Sequence, residues 1–125
     1  MNKALFLAST LASGMAFAAE NVDGLWQMNF GKQNGQDIIT TMVVDTAQKK
    51  SAMCPHDAST VVVSKLEQVG SKFASISPTF GDKYVLTVTG NTLERNGDKW
   101  TKVTPADVNK KCVAALQAKG FMLTS

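Results

Sequence analysis

Three side chains that could bind a metal lie close together in the sequence: Met53, Cys54 and His56. A thioether, a thiolate and an imidazole are soft ligands that suit copper, and Met28 and Met42 could add two thioethers from neighbouring strands. The alternative is that these methionines fill gaps in a hydrophobic core, which is their usual role. Copper binding through this cluster is therefore a hypothesis that requires Cys54 to be a free thiol.

Cys54-Pro55-His56 also resembles the first three residues of the Cys-Pro-His-Cys centre of thioredoxin-like periplasmic oxidants. In that centre the histidine and a helix N-terminus lower the pKa of the thiol. Here Asp57 replaces the second cysteine, so the resolving thiol is missing. The surrounding residues also lack the βαβ pattern on which such a centre lies. The resemblance implies thiol-redox chemistry, and the departure at Asp57 argues against it.

Cys54 and Cys112 are the only cysteines of the chain. In an oxidising compartment an even number of cysteines favours a disulfide, and two cysteines allow a single intramolecular pairing. Closing a loop of this length would stabilise a small domain by about 4 kcal/mol on the chain-entropy model. The sequence therefore predicts a structural disulfide, which would remove Cys54 from both the copper and the redox hypotheses.

Other residues that could catalyse a reaction are few, because the chain has one histidine and one tyrosine, Tyr84. No serine lies in a Gly-x-Ser-x-Gly context, and neither a phosphate-binding glycine loop nor zinc-ligand spacing is found. The acidic residues fall mostly in turns, at strand ends and at a helix start, where turn formation and capping explain them. We expect no enzyme, no metal and no cofactor; a carboxylate pair assembled by the fold is the remaining enzymatic hypothesis.

The first residues have the three-part pattern of a cleavable signal peptide. Lys3 gives a positive start, an apolar run follows over 4–11, and Ala16-Phe17-Ala18 is a small-x-small cleavage site. The apolar run is too short for a membrane span, which needs ~20 apolar residues. We expect residues 1–18 to be removed, leaving residues 19–125 as a single periplasmic domain without a stable membrane anchor.

The charges of the chain are nearly balanced and scattered, with 13 Lys and Arg against 10 Asp and Glu. Lys49-Lys50 and Lys110-Lys111 are the adjacent basic pairs, and neither lies among aromatic residues that could stack on bases. A nucleic-acid-binding surface would be more clustered and more basic. We therefore expect no nucleic-acid partner. We also expect the protein to be a monomer.

Hydrophobic residues alternate with a period of two over most of 26–103, which predicts half-buried β-strands. Turn-forming pairs separate these short segments, among them Asn34-Gly35, Gly90-Asn91 and Asn96-Gly97. Asn-Gly between strands is a strong hairpin signal. The pattern predicts a mainly β fold, an antiparallel meander that forms a small barrel or a strongly curved sheet.

The end of the chain changes period and predicts one helix over about 105–119. Thr104 is a good N-cap, Pro105 suits the first helical position, and Gly120 is a stop signal. Cys112 lies on the apolar face of this helix. A disulfide to Cys54 would therefore attach the helix to the sheet.

Gly24-Leu25-Trp26 leads into the first strand-like segment and resembles the Gly-x-Trp opening of lipocalins and lipocalin-like small barrels. In those families the tryptophan closes one end of the barrel. The segments 86–93 and 99–103, followed by a C-terminal helix, look like the second half of such domains. The opening and the later cysteine are also similar to small exported bacterial families of unknown function. The lipocalin resemblance implies ligand binding inside a barrel.

The leading functional hypothesis is a non-catalytic periplasmic module that binds a small apolar molecule in the barrel interior. Residues such as Trp26, Met28, Phe73 and Tyr84 would line that interior. An internal apolar cavity of at least ~300 Å3 would support it.

The alternative is a periplasmic inhibitor or immunity-type protein that binds another protein and blocks an enzyme or toxin. Its contact loop would contain Pro78, Phe80 and Asp82, because Phe80 lies between turn-forming residues where burial is least assured. The favoured interpretation of Phe80 itself is a hairpin residue folded back onto the core. A filled interior with an exposed loop would support the alternative. Copper or thiol-redox chemistry through Met53, Cys54 and His56 ranks third.

Overall fold

The computed structural model of the protein describes residues 20–123. They form a closed barrel of eight antiparallel strands, in which each strand pairs with the next and the first also pairs with the last. The barrel, rather than an open curved sheet, is thus the form that the predicted meander takes. The predicted signal peptide, residues 1–18, lies outside the described residues. The elements are β1 Gly24–Gln33, β2 Gln36–Asp45, β3 Lys50–Cys54, β4 Val62–Val69, β5 Lys72–Ile76, β6 Lys83–Thr89, β7 Thr92–Arg95, β8 Asp98–Val103, a 3-10 turn Pro105–Asp107 and α1 Lys110–Ala118.

Two of the predicted Asn-Gly pairs form the tight turns of hairpins. Asn34 and Gly35 have φ of 53° and 80° between β1 and β2, and Asn96 and Gly97 have φ of 51° and 82° between β7 and β8. Positive φ at both central positions matches the twist of the flanking strands. These pairs therefore help to fix which residues of each hairpin face the interior.

Because successive strands run in opposite directions, the connections between strands divide between two ends of the barrel. We call these the upper end and the lower end. The upper end carries the β1–β2 and β7–β8 turns and the loops 55–61 and 77–82, and the lower end carries the segment 20–23 and the connections 46–49, 70–71 and 90–91.

Apolar side chains fill the interior of the barrel along its axis. Trp26 on β1 and Met42 on β2 are cross-strand neighbours, and both are fully buried. The alternation that predicted the strands is the cause, because every second residue of a strand faces inward. The interior cluster consists of Val22, Trp26, Met42, Val44, Leu66, Phe73, Leu86, Leu93 and Trp100.

A second apolar cluster lies outside the barrel, between α1 and the outer faces of β1, β2 and β3. Cys112 and Leu116 are buried on the inner face of the helix and pack in one cluster with Leu25 and Val43. Cys54, the last residue of β3, forms the predicted disulfide with Cys112, and their Cα atoms are 5.9 Å apart. The disulfide attaches the helix to the sheet as the sequence predicted.

The predicted start of the helix at 105 is wrong. Thr104 caps only the short 3-10 turn, where its backbone N–H donates to the carboxylate of Asp107 at 2.9 Å. Val108 is extended and buried, and the side chain of Asn109 caps α1 instead. Thr104 and Asn109 are both capping residues. Because Val108 is buried in an extended conformation, the helix begins after Asn109 and not after Thr104. Within residues 20–123, no helix is long and apolar enough to cross a membrane.

β3 is a strand that the alternation of hydrophobic residues did not predict. Ser51 is the cross-strand neighbour of Val44, which belongs to the interior cluster. Ala52 and Cys54 face the opposite way and pack in the cluster with α1. Because both faces of β3 are covered, apolar residues occur on both of them, Met53 on the inner face and Ala52 and Cys54 on the outer face, and no period of two appears.

Candidate functional site

The four residues predicted to line a ligand cavity all lie on inward-facing positions of the barrel. Trp26 and Phe73 belong to the interior cluster, and Met28 packs against it. Tyr84 precedes the inward-facing Leu86 by two residues on β6 and therefore shares its face. Trp26 is 0% exposed and Phe73 8%. The interior around Trp26 and Phe73 is packed with side chains. Met28 and Tyr84 are only half-buried.

The Met53, Cys54 and His56 cluster lacks the free thiol that the copper hypothesis requires. Cys54 is held in the disulfide, so it offers neither a thiolate ligand nor a redox-active thiol. Met53 packs against the interior cluster. Across residues 20–123, no group of three or more His, Cys, Asp or Glu side chains is placed to hold a metal ion.

The loop 77–82 projects from the upper end with Phe80 at its tip, 81% exposed. The interpretation in which Phe80 folds back onto the core is therefore wrong. The Gly81 N–H donates to the Ser77 carbonyl at 2.8 Å, and the Ser77 N–H donates to the Asp82 carbonyl at 2.8 Å. These bonds close a tight turn that directs Phe80 away from the barrel. Pro78 and Asp82 are also exposed in this loop.

Phe80 is one of three large apolar side chains exposed at the upper end. Phe30, near the end of β1, is 53% exposed, and Val62, at the start of β4, is 44% exposed. Single exposed apolar residues are common on soluble proteins. Three around one end of a barrel, one of them on a hydrogen-bonded turn, are typical of a contact surface.

Arg95 is a half-buried cation at the same end, on the inward face of β7. Its Cζ lies 4.4 Å from the centre of the Tyr84 ring, and its Nε donates to Ser75 Oγ at 3.3 Å. Asp98 is its cross-strand neighbour, yet none of the ion pairs found in residues 20–123 includes Arg95. Burial lowers the pKa of Arg95, which nevertheless stays charged at neutral pH.

Trp100 lies below the upper end, next to Arg95 in the strand register. It is the cross-strand neighbour of Leu93, two residues before Arg95 on the adjacent strand. It is 1% exposed, and its Nε1–H has no hydrogen-bond acceptor in the described part of the protein. The ring of Phe30 meets it edge to face, with centroids 6.1 Å apart. A buried donor without an acceptor is rare in native proteins.

The lower end differs in that several of its polar groups are paired with one another. Trp26 Nε1–H donates to the Val22 carbonyl at 3.0 Å. Glu20 forms an ion pair with Lys72, with 2.9 Å between Oε2 and Nζ, and the hydrogen bond from Lys72 is the main reason that the pKa of Glu20 is lowered. Lys102 Nζ donates to the Asp23 carbonyl at 3.0 Å. The lower end is thus closed by its own residues.

Gly24 of the Gly-Leu-Trp opening has a conformational reason to be glycine. Its φ is +125°, a region that other residues rarely adopt. A Cβ at this position would also lie 3.1 Å from Lys102 Cε, whose ammonium group covers the Trp26 ring at 5.1 Å. The motif therefore contributes to closure of the lower end.

Open clefts lie outside the barrel interior. One of about 590 Å3 at the lower end is lined in part by Asp23, Lys102, Asp107 and Met122. Its carboxylates are already used, because Asp23 accepts hydrogen bonds from the backbone and hydroxyl groups of Thr46 at 2.7 and 2.9 Å. A smaller cleft of about 160 Å3 lies beside His56. Among the described residues that line these two clefts, no buried polar side-chain atom lacks a partner.

Sequence reasoning missed Arg95 and Trp100 as candidate site residues. A signal for Arg95 exists: Leu93 is an inward-facing residue, and the period of two then places the charged Arg95 on the apolar face. Nothing in the sequence indicates that Trp100, unlike Trp26, lacks an acceptor. Hydrogen-bond partners depend on the packing of distant segments.

Comparisons with known proteins support the fold alone. No protein-family model matches the chain, and no curated protein matches it either. Among solved structures, the lipoprotein YedD from Klebsiella pneumoniae subsp. pneumoniae is similar, with 21% sequence identity and a TM-score of 0.55. The match covers 86% of this chain and 93% of that chain.

Proposed function

We propose that the protein is an exported, non-catalytic binding module that uses the upper end of its barrel to bind another protein. The observation that carries this proposal is Phe80, 81% exposed on a turn whose backbone hydrogen bonds hold it away from the core. A rigid aromatic side chain presented in this way is typical of the anchors that dominate protein interfaces.

The packed interior favours a protein over a small apolar molecule as the ligand. A small-molecule pocket usually encloses most of its ligand, but Trp26, Phe73 and Trp100 fill the barrel below the upper end. A partner must therefore lie across the upper end rather than enter the barrel. This arrangement fits the inhibitor or immunity-type function better than the ligand-carrier function.

Three features support export to an oxidising compartment such as the periplasm. The disulfide between Cys54 and Cys112 is of a kind that persists in such compartments. The similar structure from Klebsiella is that of a lipoprotein, and residues 1–18 have the pattern of a signal peptide. We further propose that the domain acts as a monomer without a cofactor.

The test compares two residues of nearly equal exposure at opposite ends. The full chain, expressed with its own N-terminus and purified from the periplasmic fraction, is immobilised and exposed to periplasmic extract. Phe80→Ala is compared with Met122→Ala, because Met122 is 83% exposed at the lower end. We expect a protein that binds the wild type and Met122→Ala, with affinity for Phe80→Ala at least roughly tenfold weaker. Equal retention by all three, or no retained protein, contradicts the proposal.

A further inference from the structure

The upper end contains two side chains with hydrogen-bond donors that find no partner in the described part of the protein. The terminal nitrogens of Arg95 take part in no ion pair found in residues 20–123, and Trp100 Nε1–H has no acceptor there. Both residues face the interior from adjacent strands. Trp100 is directly opposite Leu93 and Arg95 directly opposite Asp98, so the two are diagonal neighbours. Long side chains at diagonal positions are within reach of one another.

The guanidinium of Arg95 is held in place although it forms no ion pair within residues 20–123; the charge of Asp98, its cross-strand neighbour, acts on it without a salt-bridge contact. The Tyr84 ring supports one face at 4.4 Å, and Ser75, itself 2% exposed, accepts from Nε at 3.3 Å. Holding a long side chain in one conformation costs rotamer entropy, and partial burial makes its charged form less favourable. A guanidinium oriented in advance by stacking is suited to bidentate binding of a carboxylate.

We infer that the upper end recognises a carboxylate next to an apolar side chain, which the guanidinium of Arg95 binds while Phe30 and Phe80 contact the apolar group. The inference rests on the proposed function and specifies the partner: a segment of another protein that presents an aspartate, a glutamate or its own C-terminus beside an apolar residue. A singly charged carboxylate fits this half-buried position better than a doubly charged phosphate, because its desolvation is less costly.

The two tryptophans provide a direct readout with an internal control. Trp26 Nε1–H is bonded to the Val22 carbonyl at the lower end, whereas Trp100 Nε1–H lies near the inferred site. N-acetylphenylalanine, which combines an aromatic ring with a carboxylate, is titrated into the 15N-labelled protein. We expect the Trp100 indole and Arg95 Nε–H resonances to move to saturation, while the Trp26 indole resonance stays in place. N-acetylphenylalanine amide, which lacks the charge, should leave all three unchanged.

The variants separate the contribution of charge from that of shape. Arg95→Gln should weaken binding of N-acetylphenylalanine roughly tenfold or more, and Arg95→Lys should restore part of it, because lysine keeps the charge without the planar fork. Equal shifts with the acid and the amide would overturn the inference, because apolar contact alone would then explain binding. Shifts with inorganic phosphate but not with the acid, or no shift with any of the three, would also overturn it.

Failure of this inference is distinguishable from failure of the proposed function. If a periplasmic protein depends on Phe80 but binds Arg95→Gln as tightly as wild type, the carboxylate inference is wrong and protein binding stands. If N-acetylphenylalanine binds through Arg95 but no protein is retained, protein binding is wrong and the site takes small carboxylates.

Discussion

The two tryptophans in the barrel occupy opposite surroundings. Trp26 near the lower end is fully buried, donates to the Val22 carbonyl and is covered by the ammonium group of Lys102. Trp100 near the upper end is almost as deeply buried, yet its indole N–H has no acceptor among residues 20–123, and its packing neighbour Phe30 is half exposed. The indole N–H of tryptophan is therefore hydrogen-bonded near the lower end and has no acceptor among the described residues near the upper end.

Arg95 shows the same contrast among the charged residues and indicates a division of labour between the ends. Ion pairs occur at both ends, Glu20 with Lys72 at the lower end and Lys32 with Asp37 at the upper end. Arg95 at the upper end instead stacks on Tyr84 and belongs to no ion pair found in residues 20–123. Local departures from full pairing in a native protein tend to mark functional positions. The lower end therefore stabilises the fold, and the upper end is where we place binding.

The largest expected effect concerns the disulfide, which fastens α1 near the upper end. Replacing both Cys54 and Cys112 by alanine should lower the free energy of unfolding by about 4 kcal/mol, because a loop with a sequence separation of 58 is released in the unfolded chain. Lys50, whose Nζ donates to the Lys119 carbonyl at 2.8 Å, fastens the helix near the lower end. Lys50→Met should lose only about 1 kcal/mol. Urea denaturation measures both, and equal losses would contradict the account.

The second effect contrasts the two tryptophans directly. Trp26→Phe and Trp100→Phe remove the same atoms from buried positions, but only Trp26→Phe breaks a hydrogen bond and leaves the Val22 carbonyl without it. We expect Trp26→Phe to be the more destabilising by about 1–2 kcal/mol. Thermal or urea unfolding of both variants measures the difference. If Trp100→Phe were the more destabilising, the donor of Trp100 would be satisfied and the contrast would fail.

A smaller effect depends on pH and tests closure of the lower end. The pKa of Glu20 is lowered, mainly by the hydrogen bond from Lys72. A carboxylate with a lowered pKa in the folded state stabilises the protein above its unfolded pKa of ~4.3 and loses this contribution as the pH falls through the folded value. Glu20→Gln should therefore be less stable than wild type at neutral pH by up to ~1 kcal/mol. The difference should disappear in acid; a difference that persists there would have another origin.

The smallest expected effect on stability is that of Phe80→Ala. The side chain is 81% exposed, so its removal should change the free energy of unfolding by less than ~0.5 kcal/mol. Urea denaturation of Phe80→Ala and Met122→Ala provides the measurement. A loss above ~1.5 kcal/mol would mean that Phe80 packs onto the barrel.

Local sequence patterns predict those parts of the fold that depend on neighbours in the chain. The period of two and the pairs Asn34-Gly35 and Asn96-Gly97 predict hairpins that the structure contains. β3 escaped prediction because α1 covers its outer face, and contact with a distant helix leaves no alternation in five residues. The start of α1 was misplaced because burial of Val108 overrides the first of two caps.

The candidate site was predicted only in part, for a similar reason. The exposed loop around Phe80 depends on turn-forming residues that are local in the sequence. The sequence allowed both an exposed and a folded-back Phe80, and the favoured interpretation was the folded-back one. Arg95 and Trp100 are candidate site residues because residues 20–123 provide neither an ion pair for Arg95 nor an acceptor for the Trp100 indole N–H. Whether a side chain has a partner depends on every segment that packs near it. Such a property emerges only once the barrel is closed.

The most direct measurement of the central claim, that the upper end binds a protein, is site-specific photocrosslinking in intact cells. Phe80 is replaced by p-benzoylphenylalanine, and the same replacement at Met122 serves as the control of matched exposure at the lower end. Irradiation should produce a discrete higher-mass adduct from position 80 and none from position 122. A discrete adduct from position 122 alone, or none from position 80, would contradict binding at the upper end.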